Sequence, residues 1–71
     1  MSPDKLAYMA NQIGKFFAHQ PPEKAVAAIA DHIRRFWDPR MRRDILAHLG
    51  EVQLDPSVRQ AVEGLRESRQ T

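Results

Sequence analysis

Three histidines, His19, His32 and His48, are the side chains of this 71-residue chain that could exchange protons near neutral pH. Their spacing fits neither HxxxH nor HExxH, the patterns that bring two metal ligands onto one face of a helix. The chain has no cysteine, which excludes disulfides, thiolate metal sites and a cysteine nucleophile. We therefore expect helix-end or solvated histidines, no metal site and no catalytic residue.

The glycines and serines give no catalytic motif either. Gly14, Gly50 and Gly64 fit neither a P-loop nor GxGxxG, and no serine lies in a GxSxG sequence. A chain of this length needs most of its large apolar side chains for a core, which leaves few for the water-excluding pocket that catalysis requires. The sequence therefore predicts a protein that is not an enzyme.

The densest group of side chains that could bind another molecule is RRFWDPRMRR, at residues 34–43. Arginine and tryptophan are enriched at the hot spots of protein interfaces. Arg42 falls among the apolar positions of its predicted helix, where a charge needs a carboxylate, a carbonyl or a second protein. Asn11 and Gln12 are mid-helix amides without a local need, which favours hydrogen bonds across an interface. The predicted partner-binding residues are Asn11, Gln12, Arg35, Trp37, Arg40, Arg42 and Arg43.

Prolines predict the helices that carry these residues. Proline fits the first helical turn, where its missing N–H has no partner, and Ser2, Asp38 and Asp55 precede prolines as candidate N-caps. Gly50 is a candidate C-terminal stop. Apolar residues recur at spacings of three and four, and no stretch alternates with period two. We predict helices at 3–19, 22–37, 39–49 and 56–67, in one all-α domain over residues 1–71 with a frayed tail from about residue 67.

The same periodicity predicts how the small bundle of four short helices packs. Small residues form a stripe on the first helix, and mid-helix Gly14 indicates a close approach because glycine there costs about 1 kcal/mol relative to alanine. We expect an antiparallel hairpin of the first two helices. Trp37 has two interpretations, a core residue or an interface anchor. The predicted core faces hold Leu6, Met9, Ile13, Phe16, Phe17, Val26, Ile29, Ile33, Phe36, Trp37, Ile45, Leu46, Leu49, Val58, Ala61, Val62 and Leu65, and Tyr8, Phe17, Ala28 and Met41 lie off those faces or near their edges as candidates for an exposed patch.

A net charge of +2 and an isoelectric point near 9.5 raise a second hypothesis, a small helix-turn-helix protein that binds nucleic acid. Acidic residues interrupt the arginines, and the turn at Asp38-Pro39 lacks the glycine common in that motif. A protein partner is therefore favoured over nucleic acid. No apolar run approaches a membrane span, and the N-terminus lacks the layout of a secretion signal, so we expect no membrane contact and a cytoplasmic location.

Two segments of the chain resemble a known family. Residues 5–17 read KLAYMANQIGKFF, and residues 32–42 read HIRRFWDPRMR, followed by ILAHL at 45–49. Together they resemble the delta subunit of NAD-dependent, molybdenum-containing formate dehydrogenase, and the strings MANQIG, FF and FWDPRMR are the specific part. The resemblance covers most of residues 5–49 and is looser after Gly50.

The resemblance implies a non-catalytic accessory subunit of a cytoplasmic complex that oxidises formate to carbon dioxide and passes the electrons to NAD. It implies that this chain alone binds no cofactor. The complex would hold a bis(molybdopterin guanine dinucleotide) molybdenum cofactor, iron–sulfur clusters, FMN and NAD. The implied partner is the molybdopterin-binding catalytic (alpha) subunit, which this chain would help to receive its cofactor, assemble or remain stable.

Overall fold

A proline stands at the start of each helix that the structure describes. The computed structural model describes residues 2–68. Its helices are α1 (Pro3–Phe16), α2 (Pro22–Phe36), α3 (Pro39–Ala47) and α4 (Pro56–Ser68). All of these starts agree with the prediction, and α1 contacts α2, so the expected small all-α bundle is confirmed. The tail predicted to fray falls mainly on residues 69–71, which lie outside the described residues.

Two of the three predicted N-caps are present. Ser2 Oγ accepts a hydrogen bond from the Lys5 backbone N–H at 3.2 Å, and Asp38 Oδ1 accepts one from the Met41 N–H at 2.9 Å. Each satisfies an N–H that has no partner within its helix. The Asp55 carboxylate, in contrast, makes no hydrogen bond with the described residues. The Asp55 side chain therefore does not cap the start of α4.

The helices α1 and α3 end earlier than predicted. The Phe17 N–H is shared between the carbonyls of Ile13 at 3.3 Å and Gly14 at 3.2 Å, a tightening that closes the last turn of α1. Helix α3 ends at Ala47. No described residue has a positive φ angle. The prediction that Gly50 is the C-terminal stop of this helix is therefore wrong, because α3 ends before it with His48 as the C-cap.

The core lies where α4 meets the other helices, and α2 is its principal neighbour. Nearly every predicted core residue is buried or half-buried. The half-buried side chains that pack against the core include two that were also expected near an exposed edge, Phe17 and Met41. The buried apolar residues are Leu6, Ala7, Ala10, Ala25, Ile29, Ala30, Ile33, Trp37, Ile45, Leu46, Val52, Val58, Ala61, Val62 and Leu65.

Two aromatic side chains predicted in the core are on the surface. Phe16 is 73% exposed and Phe36 is 70% exposed. Successive helical residues point about 100° apart, so only one of the pair Phe16–Phe17 can face the core, and Phe17 does. At the end of α2 the extended backbone of Trp37 turns the indole inward, which leaves Phe36 outside. Tyr8 is exposed as predicted.

Gly14 marks a close approach, but α4 is the helix that comes nearest. A Cβ added at Gly14 would collide with Val58 Cγ2, whereas the nearest atom of α2, Ile29 Cδ1, is 3.9 Å away. The expectation that this glycine serves the contact with the second helix is therefore corrected. Gly64 is also in a helix, and no atom lies within 4 Å of its Cβ position.

We expect Gly14→Ala to lower the free energy of unfolding by about 1–2 kcal/mol, because overpacking against Val58 outweighs the gain of about 1 kcal/mol in helix propensity. Gly64→Ala is the matched control and should raise stability by up to about 1 kcal/mol. Urea titrations followed by circular dichroism measure both. The cost of Gly14→Ala should shrink in a Val58→Ala background; an equal cost in both backgrounds would exclude the collision as its cause.

Candidate docking surface

Residues 34–43, which we call the basic elbow, join the end of α2 to the start of α3. On the α2 side, Arg35 Nε lies 3.1 Å from Asp31 Oδ2, one helical turn earlier. Both side chains are largely exposed, and such a surface pair contributes only about 0.3–0.5 kcal/mol. Arg35 therefore remains able to bind a carboxylate from outside the chain.

The α3 side of the basic elbow carries arginines that nothing in the described chain neutralises. Arg40 and Arg43 are exposed and Arg42 is half-buried, and none of their guanidinium groups makes a hydrogen bond or ion pair with the described residues. Arg40 lies in the first turn of α3, where the helix dipole disfavours a cation by about 0.3–1 kcal/mol, and the Asp38 carboxylate caps the same end. Arg42 and Arg43 lie in the second turn. The partner that Arg42 was expected to need is not supplied by the described fold.

Trp37, at the centre of the basic elbow, belongs to the core. Its side chain is 5% exposed and lies in the same buried cluster as Ile33 and Leu46. Of the two interpretations of Trp37, the structure supports the core residue, because the chain's own apolar residues cover the indole. Its contact with a partner stays a prediction. Loss of a buried aromatic ring costs about 3–5 kcal/mol. Trp37 thus connects the basic elbow to the core of the bundle.

Asn11 holds the segment between α3 and α4 against α1. Its Nδ2 donates to the Gln53 carbonyl and its Oδ1 accepts from the Asp55 N–H, both at 3.0 Å. Asn11 was predicted to bind a partner because a mid-helix amide has no local need. That premise is wrong for Asn11, whose amide has two partners within the chain. The neighbouring amide, Gln12, is exposed and makes no hydrogen bond with the described residues. Gln12 is therefore the one of the two amides that is free to bind.

The arginines of α4 have internal roles that the sequence analysis missed. Arg59 donates from Nη1 to the Leu49 carbonyl at 2.8 Å and from Nη2 to the Val52 carbonyl at 3.0 Å. Arg66 Nη2 lies 3.4 Å from the Leu46 carbonyl. These contacts satisfy carbonyls at and beyond the end of α3, where the helix dipole favours cations. They distinguish the internally bound arginines from those of the basic elbow.

The histidines do not converge on one site. His48 donates from Nδ1 to the Asp44 carbonyl at 2.8 Å and so binds the end of its own helix. His32 is half-buried on α2, and His19 is exposed in the turn after α1. Within residues 2–68 no group of three or more His, Asp or Glu side chains is close enough to hold a metal ion.

An open groove of about 260 Å³ lies between the end of α1 and the first turns of α2 and α4. Its lining is mainly apolar, and no histidine contributes to it. The polar side chains of the lining are Lys15, Gln20, Asp55 and Ser57, and none of the predicted partner-binding residues lies in it. The groove and the basic elbow are therefore separate features.

Four rings, which we call the aromatic row, cross from the end of α1 to the end of α2. The centroid of Phe17 lies 5.1 Å from that of Phe16 and 6.3 Å from that of His32, and His32 lies 4.7 Å from Phe36. The first two contacts are edge-to-face, an attractive geometry for aromatic pairs. The sequence signal was present, since His32 and Phe36 are four apart on one helix. It was missed because both phenylalanines at the ends of the row were assigned to the core.

Comparison with known proteins gave a family match. Residues 5–62 match the family model for the NADH-dependent formate dehydrogenase delta subunit, FdsD. The matched region includes α1, α2, α3 and the start of α4, and therefore the whole basic elbow. No curated protein and no solved structure matches the chain. None of the helices in residues 2–68 has the length and apolar character needed to cross a membrane.

The structure separates the two adjacent amides, and their alanine variants should differ. We expect Asn11→Ala to lower the free energy of unfolding by about 1–2 kcal/mol, because the Gln53 carbonyl and the Asp55 N–H both lose a partner. Gln12→Ala, the matched control, should change it by less than about 0.5 kcal/mol. Urea denaturation of both variants measures the difference. Equal effects of the two substitutions would contradict the anchoring role of Asn11.

Proposed function

This chain belongs to the family of formate dehydrogenase delta subunits, and we propose that it is a non-catalytic accessory subunit that docks on the catalytic (alpha) subunit of a cytoplasmic NAD-dependent formate dehydrogenase. Family membership makes a formate dehydrogenase complex the natural partner. The same membership favours this function over nucleic-acid binding. Docking, rather than chemistry within this chain, is what the side chains of the basic elbow are suited to do.

The observation that carries the proposal is the group of unpaired cations at the start of α3. The guanidinium groups of Arg40, Arg42 and Arg43 have no partner among the described residues, and Arg40 lies in the first helical turn, where positive charge is disfavoured. A partner surface with carboxylates would turn this unfavourable arrangement into charge-assisted hydrogen bonds, and arginine can form them in pairs with one carboxylate. The proposed docking residues are Gln12, Arg35, Arg40, Arg42 and Arg43.

In this proposal the partner complex holds every redox group. The sequence lacks the cysteines that ligate iron–sulfur clusters, so this chain is not their scaffold. The complex holds the bis(molybdopterin guanine dinucleotide) molybdenum cofactor, the iron–sulfur clusters, FMN and NAD. A subunit that binds only the folded or cofactor-ready form of the catalytic subunit stabilises that form by mass action. Docking can therefore aid cofactor insertion, assembly or stability without any reaction on this chain.

Reversal of the exposed charges of the basic elbow tests the docking surface. We expect Arg40→Glu with Arg43→Glu to weaken co-purification with the catalytic subunit at least about tenfold, because two favourable contacts become repulsive. The difference should narrow at high salt, where exposed charges are screened. The matched control is Lys5→Glu with Lys24→Glu, which changes the net charge equally at exposed positions of α1 and α2.

Wild-type binding by both double variants would remove the basic elbow from the interface. Equal weakening by both would show that net charge alone governs association. Circular dichroism spectra like that of the wild type would establish that each variant is folded.

The accessory role itself is tested by preparation of the formate dehydrogenase complex with and without this chain. We expect the complex made without it to contain less molybdenum, measured by elemental analysis, or to lose activity faster on incubation. Reduced molybdenum would identify a role in cofactor insertion, whereas normal molybdenum with a shorter lifetime would identify stabilisation. A complex of normal metal content, activity and lifetime would contradict the accessory function.

A further inference from the structure

We infer that the aromatic row anchors the docking of this chain, by insertion of Phe16 and Phe36 into an apolar surface of the formate dehydrogenase complex that is bordered by carboxylates. This inference rests on the proposed function and adds to it the apolar half of the interface. It concerns rings that the sequence analysis placed in the core and that the fold leaves outside.

The first support is the exposure of large apolar side chains in one connected group. Phe16 and Phe36, at the two ends of the aromatic row, are 73% and 70% exposed. Scattered exposed apolar residues are normal, but these rings are joined by contacts through Phe17 and His32. Phe17 is also packed against the core, which fixes the row to the fold. A rigid aromatic surface of this kind loses little conformational entropy when a partner covers it.

The second support is continuity with the unpaired charges. Phe36 is both the end of the aromatic row and a member of the basic elbow, so the row reaches the segment that carries the arginines. On α1, exposed Gln12 precedes Phe16 by one helical turn and therefore lies beside it. Interfaces commonly combine an apolar centre with aromatic anchors and a polar rim. The proposed docking residues supply such a rim around the row.

The positive charge of the basic elbow favours a partner with carboxylates over a second copy of this chain. A symmetric contact between two copies, centred on the aromatic row and the basic elbow, would bring the unpaired arginines of one copy toward those of the other. A partner with carboxylates around an apolar depression would instead form ion pairs with those arginines. A standard interface takes about 800 Å² from each partner, roughly a sixth of the 4917 Å² surface of this chain.

The test measures binding of the full chain to the formate dehydrogenase complex prepared without it. We expect Phe16→Ser and Phe36→Ser each to raise the dissociation constant at least about tenfold, as truncation of an interface anchor does. Gln60→Ser is the control, since Gln60 is an exposed, uncharged residue of α4 and belongs to neither the aromatic row nor the basic elbow. It should change the dissociation constant less than about twofold, and thermal unfolding should show that all three variants are folded.

Each of the other possible outcomes would contradict a specific claim. If both serine variants bind like the wild type while Arg40→Glu with Arg43→Glu binds weakly, the aromatic row is not the anchor and the proposed function stands. If the wild-type chain binds no subunit of the complex, the proposed function fails and the inference fails with it. If sedimentation shows that the isolated chain is a dimer and that Phe16→Ser makes it a monomer, the row is an interface between copies and the inference is wrong.

Discussion

The crossing of α1 and α4 at Gly14 is the constraint on which the rest of the bundle depends. Val58 Cγ2 lies against bare backbone there, in a space that any side chain at Gly14 would fill. Because α4 can approach this closely, Val58 and its neighbours Ala61, Val62 and Leu65 lie in the centre of the bundle, where α2 packs against them. The bonds of Asn11 to the chain just before α4 hold the same crossing from its polar side.

A central α4 leaves the outer sides of α1 and α2 without a covering helix. Phe16 and Phe36 lie on that uncovered side, beside inward-facing Phe17 and Trp37. In a chain this small there are too few helices to cover every apolar face. An exposed aromatic surface is thus a consequence of the packing, and it is the surface that we propose for a partner. The basic elbow can both stabilise the fold and face a partner because its Trp37 is buried in the core whereas its Phe36 is exposed.

The arginines divide into two groups according to the helix end that they meet. Arg59 and Arg66 reach carbonyls at and beyond the end of α3, where positive charge is favoured. The side chains of Arg40, Arg42 and Arg43 extend from the first half of the same helix and have no partner among the described residues. Identical side chains therefore stabilise the fold at one end of α3 and remain available for a partner at the other. This asymmetry gives the docking proposal a physical basis that is independent of the family match.

The sequence by itself determined the helix starts, most of the core and the family, because these depend on local chemistry. Proline sets where a helix can begin, the spacing of apolar residues sets its buried face, and motif strings carry the resemblance. Tertiary structure alone decided which of two adjacent aromatic residues faces inward and which helix approaches Gly14. It also decided that Asn11 binds within the chain whereas Gln12 does not. Such choices depend on contacts between residues that are distant in the chain. The spacing of residue types along the sequence does not specify which distant residue packs against which.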